Sequence, residues 1–172
     1  MGRKALFSLF QARHSEVMWI DQRGSEILQA PECLRLLALA AKDDHIGRLA
    51  VADGQAPLVV PLNFKYHDDG VLVRIGPGRL SDLAPGSLVA FEVDRVEPDV
   101  GLAWSVLVRG LASLVAPNDV EPEAGAMPQP WVPEPGEEVL VIRPDVVTGR
   151  RFRLVARDVP GAKAASSAVP PV

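Results

Sequence analysis

Between residues 46 and 156 apolar and polar positions alternate in short runs, and Asp-Gly, Gly and Pro separate one run from the next. A period of two marks a strand with one face in a core and one in solvent. The runs 46–51, 58–66 and 71–75 read as three consecutive antiparallel strands, with Asp53-Gly54 and Asp69-Gly70 as hairpin turns. Further strands are predicted at 88–93, 104–115, 139–142 and 148–156, the fifth broken near Gly110. Helical spacing occurs at 31–41, where Leu34, Leu37, Ala38 and Ala41 share a face and Pro31 suits the first turn. One more helical turn is expected at 79–83. The pattern is that of a mainly β chain, a small antiparallel barrel with a helix packed on it.

Two positions inside the strands are unusual. Pro61 interrupts the second strand, so an edge, a bulge or an opening is expected there. Gly47 in the first strand permits a close approach, by a neighbouring strand or by a ligand. The flanks are less regular. Residues 1–26 read as an N-terminal extension, 27–156 as the barrel domain, and 157–172 as a flexible tail of small residues and prolines. The Pro-rich stretch 116–135 reads as a surface connection.

Composition narrows the function classes. The 172 residues suffice for one domain with a sizeable core, and aromatics at 5% leave Val, Leu and Ala to fill it. A net charge of -4 gives no support to a nucleic-acid partner. The 1 cysteine, Cys33, has no internal disulfide partner and reads as a packed residue. No apolar run is long enough to span a bilayer and no leader is evident, so the expected location is the cytoplasm. His14, His45 and His67 have no metal-binding spacing, and no metal site is expected.

Candidate chemistry concentrates after the third strand. Arg74 ends that strand and Arg79 follows a glycine-bearing loop. Guanidinium groups make planar, charge-assisted bonds to phosphate, and loop N–H groups near Gly78 or the start of a helix at Arg79 would add donors. Ser81 either gives a hydroxyl to the same anion or caps the helix. Asn63 and Gln55 lie near the opening expected at Pro61. Trp104 either stacks near a planar ligand or belongs to the core. His45, before the first strand, is a candidate for proton transfer. No nucleophile, base and orienting group can be assembled from sequence order.

These pieces together resemble the FMN-binding split-barrel proteins, relatives of pyridoxamine 5'-phosphate oxidase, and in particular their small actinobacterial-type members. The resemblance rests on the order and spacing of Glu32-Cys33-Leu34-Arg35-Leu36-Leu37, Gly47-Arg48-Leu49-Ala50-Val51, Pro61-Leu62-Asn63-Phe64, Arg74-Ile75 and Gly78-Arg79-Leu80. It continues through Val89-Ala90-Phe91-Glu92-Val93-Asp94, the run from Trp104 to Gly110, and Thr148-Gly149-Arg150-Arg151. It implies a split β-barrel, Greek-key-like and antiparallel, with a few short helices. It also implies a homodimer with FMN at the interface. Pro61, Leu62, Asn63 and Phe64 would then run beside the isoalloxazine. Arg74 and Arg79 would hold the 5'-phosphate, helped by groups around Ile75, Leu80 and Ser81, and Trp104 would approach the cofactor. The family usually has Thr where this chain has Ile75 and Lys where it has Arg79. The activity implied is an FMN-dependent oxidoreductase passing electrons from a nicotinamide cofactor, NAD(P)H, to a small organic acceptor. The alternatives are an F420-dependent reductase, a non-catalytic flavin- or heme-binding module, and a degenerate structural dimer.

Overall fold

The computed structural model describes residues 19–20, 24–116, 128 and 138–155. In chain order the elements are β1 (Trp19–Ile20), β2 (Glu26–Leu28), α1 (Ala30–Lys42), β3 (Ile46–Asp53), β4 (Ala56–His67) and β5 (Gly70–Ile75). After them come α2 (Arg79–Leu83), β6 (Leu88–Glu97), a 3-10 turn at Pro98–Val100, β7 (Leu102–Val115) and β8 (Glu138–Arg153). Every strand pairing is antiparallel. The order β8-β5-β4-β3-β6-β7 returns to β8 through the β7–β8 ladder, which closes six strands into a ring. Closure removes the unpaired edges that an open sheet exposes. The ring is uneven: three residue pairs join β3 to β6, while eight join β3 to β4. The fold is therefore a split barrel, mainly β, as the alternation predicts.

Period two sorts the side chains. Leu49 and Val51 of β3, Phe64 of β4, Val71, Val73 and Ile75 of β5, and Phe91 and Val93 of β6 point into one core. Trp104, Val106 and Val108 of β7 and Leu140 and Ile142 of β8 complete the barrel's share of it. Phe64 and Phe91 meet edge to face, with centroids 5.1 Å apart. The close approach anticipated at Gly47 is made by Phe91: a Cβ at 47 would lie 2.0 Å from its ring. Helix α1 covers the barrel with Cys33, Leu36, Leu37, Ala40 and Ala41. That stripe differs from the predicted one. Leu37 and Ala41 are shared, but Leu34 and Ala38 are only half-buried, because the helix docks rotated toward Cys33 and Leu36.

Several boundaries move. The two last predicted strands are one, β8, whose register slips between Arg109↔Val146 and Gly110↔Pro144 of the β7 ladder and leaves Asp145 over as a bulge. The break expected in β7 is thus on its partner. Gly110 is needed there all the same, since a Cβ would sit 1.8 Å from the Arg143 carbonyl oxygen. In the β4–β5 turn the positive φ values belong to Asp68 and Asp69, one residue earlier than expected, and Gly70 already pairs with His67. Residues 26–28 join the sheet beside β8, so a domain edge after residue 26 falls inside β2. The tail 157–172 and most of the Pro-rich connection lie outside the described residues.

Candidate functional site

The predicted opening at Pro61 has a structural basis. Pairing of β4 with β5 begins at Phe64↔Val73, so Pro61 pairs on its β3 side with Arg48 and, among the described residues, has no strand opposite on the other. A residue without an N–H is tolerated at such an edge. Leu62, Phe64 and Tyr66 contact the core, which turns Pro61, Asn63 and Lys65 to the outer face. On β5 the same rule turns Leu72 and Arg74 outward, and Leu72 joins a small outer cluster with Val139 and Val141. Continuing the ladder by one step from Phe64↔Val73 sets Asn63 opposite Arg74, on one face and at one level.

Both of these side chains carry a buried donor that has no partner among the described residues. Asn63 Nδ2 and Arg74 Nε are shielded from solvent and make no hydrogen bond. An unsatisfied buried polar group costs about 1–3 kcal/mol, more when charged. Two such donors on one face call for acceptor oxygens from beyond the described residues, such as those of a phosphate or a ring carbonyl. The residues at this edge therefore fit the phosphate and carbonyl groups of a flavin mononucleotide.

The remaining candidates divide. Arg79 opens α2 and is bound to the β3–β4 turn: its Nε donates to Asp53 Oδ2 at 3.1 Å and its Nη2 to Oδ1. The guanidinium holds the Asp53 carboxyl below its ordinary range. Ser81 Oγ donates to the Gly78 carbonyl at 2.8 Å and accepts from the Gly78 N–H at 3.0 Å. It caps α2, the second of its two predicted roles, and it takes up the Gly78 N–H expected to serve an anion. With 5 residues, α2 has no macrodipole worth invoking. Phe64, Ile75 and Trp104 are 1%, 3% and 4% exposed and send their side chains into the core, with Leu62 and Leu80 packed beside them. Of its two predicted places Trp104 takes the core, since alternation along β7 points the indole inward. Ile75 suits its inward position, where a threonine hydroxyl would be buried among apolar groups.

A cluster that the sequence reading did not single out flanks the edge. Arg48, cross-strand from Pro61, donates to Glu92 Oε2 at 2.9 Å and to Asp94 Oδ1 at 2.5 Å. Burial, together with Asp94, pushes the Glu92 carboxyl up against the pull of Arg48. Acids two apart on one strand, facing an arginine on the next, were the signal available. His45 Nε2 is also buried without a partner, but its place beside inward Gly47 puts it on the other face from Asn63. Among the described residues no group of three His, Cys, Asp or Glu side chains is placed to hold a metal.

The fold and this edge define a class, the antiparallel split barrel with paired donors on an open outer strand. Comparison with known proteins gives the family. The family model described as pyridoxamine 5'-phosphate oxidase matches residues 29–151. An uncharacterized protein of Mycobacterium tuberculosis is 32% identical over 131 residues, 73% of this chain and 84% of that protein. The structure of an FAD-binding protein from Mycobacterium smegmatis superposes with a TM-score of 0.61 at 32% identity, over 74% of this chain and 98% of that one. A Corynebacterium glutamicum protein proposed to be a pyridoxamine 5'-phosphate oxidase gives 0.62 at 28% identity, over 77% and 96%. The chain belongs to the pyridoxamine 5'-phosphate oxidase-like family of flavin-binding split barrels.

Proposed function

We propose that this protein is an FMN-dependent oxidoreductase that acts as a homodimer and passes electrons from a nicotinamide donor to a small organic acceptor. The observation that carries the reading is the pair of unpartnered buried donors, Asn63 Nδ2 and Arg74 Nε, at an open strand edge. Arg74 supplies the charge that holds a phosphate, and Asn63 supplies a neutral donor for a ring carbonyl. Pro61 keeps the strand edge free of a competing N–H. The barrel wall behind them is packed on the buried rings of Phe64 and Phe91, which keep water from that side. A bound flavin supplies the two-electron redox chemistry. Arg48, with Glu92 and Asp94, sets the local charge beside Pro61. A second subunit would cover the edge itself, where Ile46, cross-strand from Asn63, is an exposed apolar side chain.

A specific finding favours a second form of the same reading, FAD in place of FMN: the M. smegmatis relative at 32% identity is an FAD-binding protein. Fluorescence titration of the purified chain with FMN, FAD, riboflavin and F420 distinguishes them. FMN is expected to bind at least about tenfold tighter than riboflavin, which lacks the phosphate that Arg74 would hold. Equal affinities for FMN and riboflavin would remove the phosphate role, and binding of F420 alone would replace the flavin.

A further inference from the structure

Toward the β3–β4 turn and away from Asn63 and Arg74, the outer face holds a cleft of about 520 Å³ bounded by β3, the start of β4, β6, β7 and β8. We infer that this cleft is a second binding site, and that it takes an apolar zwitterion of the α-amino-acid type.

The cleft follows from the register. Ala50 stands opposite Val59 on one side and Ala90 on the other; Ala90 stands opposite Arg109, and Arg109 opposite Val146. The two alanines leave a low apolar floor between taller neighbours, with Leu88 and Val146 exposed on the rim. Arg109 enters this space from β7. Asp145 enters it from β8 as the bulged residue, and a bulge re-aims a side chain that regular pairing would turn away.

Arg109 and Asp145 face the same cleft, and neither has a hydrogen bond or ion pair among the described residues. This is unlike Arg35, Arg48, Arg79, Arg95 and Arg151, each of which holds a carboxylate. A single arginine over an apolar floor would select an organic anion. An aspartate beside it opposes a bare anion and favours a ligand that also carries a cation. An α-amino acid matches both charges at adjacent atoms, and a large apolar side chain covers the alanine floor. The volume lies in the range of small-molecule sites. The inference does not depend on the flavin reading, since none of these residues belongs to the Asn63–Arg74 edge.

The test uses three probes on the full chain, followed by ligand-observed NMR and equilibrium dialysis: L-tryptophan, indole-3-propionate without the ammonium, and tryptamine without the carboxylate. Saturable binding of L-tryptophan is expected, with each analogue about tenfold weaker or more. Arg109→Gln should weaken L-tryptophan by about tenfold without weakening tryptamine, and Asp145→Asn should weaken L-tryptophan without weakening indole-3-propionate. Ala90→Leu should fill the floor and abolish L-tryptophan binding while the unfolding midpoint and flavin titration hold. Absence of saturable binding, equal affinity for all three probes, or unchanged binding in both charge variants overturns the proposal.

Discussion

Arg74 and Arg151 both stand on barrel strands, and their surroundings are opposite. Arg151 donates to Glu26 Oε2 at 3.2 Å and to Glu32 Oε1 at 2.6 Å, while Glu32 also holds Arg35 at 2.7 Å. That corner staples β2, the first turn of α1 and β8, and each of its charges is matched from within the chain. Arg74 has a buried Nε and nothing to give it to. The two sites teach that an arginine's neighbours, more than its charge, decide its use: a matched one serves the fold, and one whose buried nitrogen is unmatched has a donor left to offer. Arg79 lies between them, matched to Asp53 but largely exposed.

Substitution at both places sharpens the contrast. Arg74→Gln is expected to lower FMN affinity by about ten- to a hundredfold, equivalent to roughly 1.5–3 kcal/mol, and to erase the preference for FMN over riboflavin. Its unfolding midpoint should not fall. Arg151→Gln should do the reverse, costing about 1–2 kcal/mol in denaturant unfolding with flavin affinity intact. If the two variants exchange these phenotypes, the assignment of roles is wrong.

Acid should act most on the matched corner. Hydrogen bonds from Arg35 and Arg151 lower the Glu32 pKa to about 2 from the ordinary 4.5. A carboxyl depressed on folding contributes stability that is complete above its unfolded value and lost as pH falls through the folded one. The Glu32 contribution should therefore disappear between pH 4.5 and about 2. Glu32→Gln should flatten the slope of unfolding free energy over that window, read by denaturant titrations at several pH values. The smallest effect is expected at Arg79. Asp53→Asn frees the guanidinium and should tighten FMN by about threefold, because an exposed pair holds its members weakly. Weaker binding in that variant would mean that Asp53 positions Arg79 for the phosphate.

Much of this could be read beforehand, for identifiable reasons. Strand alternation reports which face is buried, so β3 to β8 were legible from Leu49, Val73 or Val108 and their neighbours. Pro61 announced the open edge because a missing N–H is a local property. Arg74 was legible as an anion candidate by position. The helix stripe was misplaced because Leu34 and Cys33 are both apolar and only docking chooses between them. The bulge at Asp145 was missed although Pro144, like Pro61, marks an irregular strand: the stretch 143–147 reads as a gap between two strands, and only the ladder with β7, where Gly110 leaves room for the Arg143 carbonyl, joins them.

The sequence by itself determined the periodic, local features: a mainly antiparallel β chain, one amphipathic helix, the turns, and the residues that resemble a flavin-binding family. Only the tertiary structure decided which polar groups are matched. Pairing Asp53 with Arg79, Glu92 and Asp94 with Arg48, and Glu26 and Glu32 with Arg151 joins residues that are distant along the chain. Hydrogen-bond satisfaction depends on angstrom-scale distances between strands, which no local spacing encodes. It is that accounting that leaves Asn63 and Arg74 without partners at the edge beside Pro61.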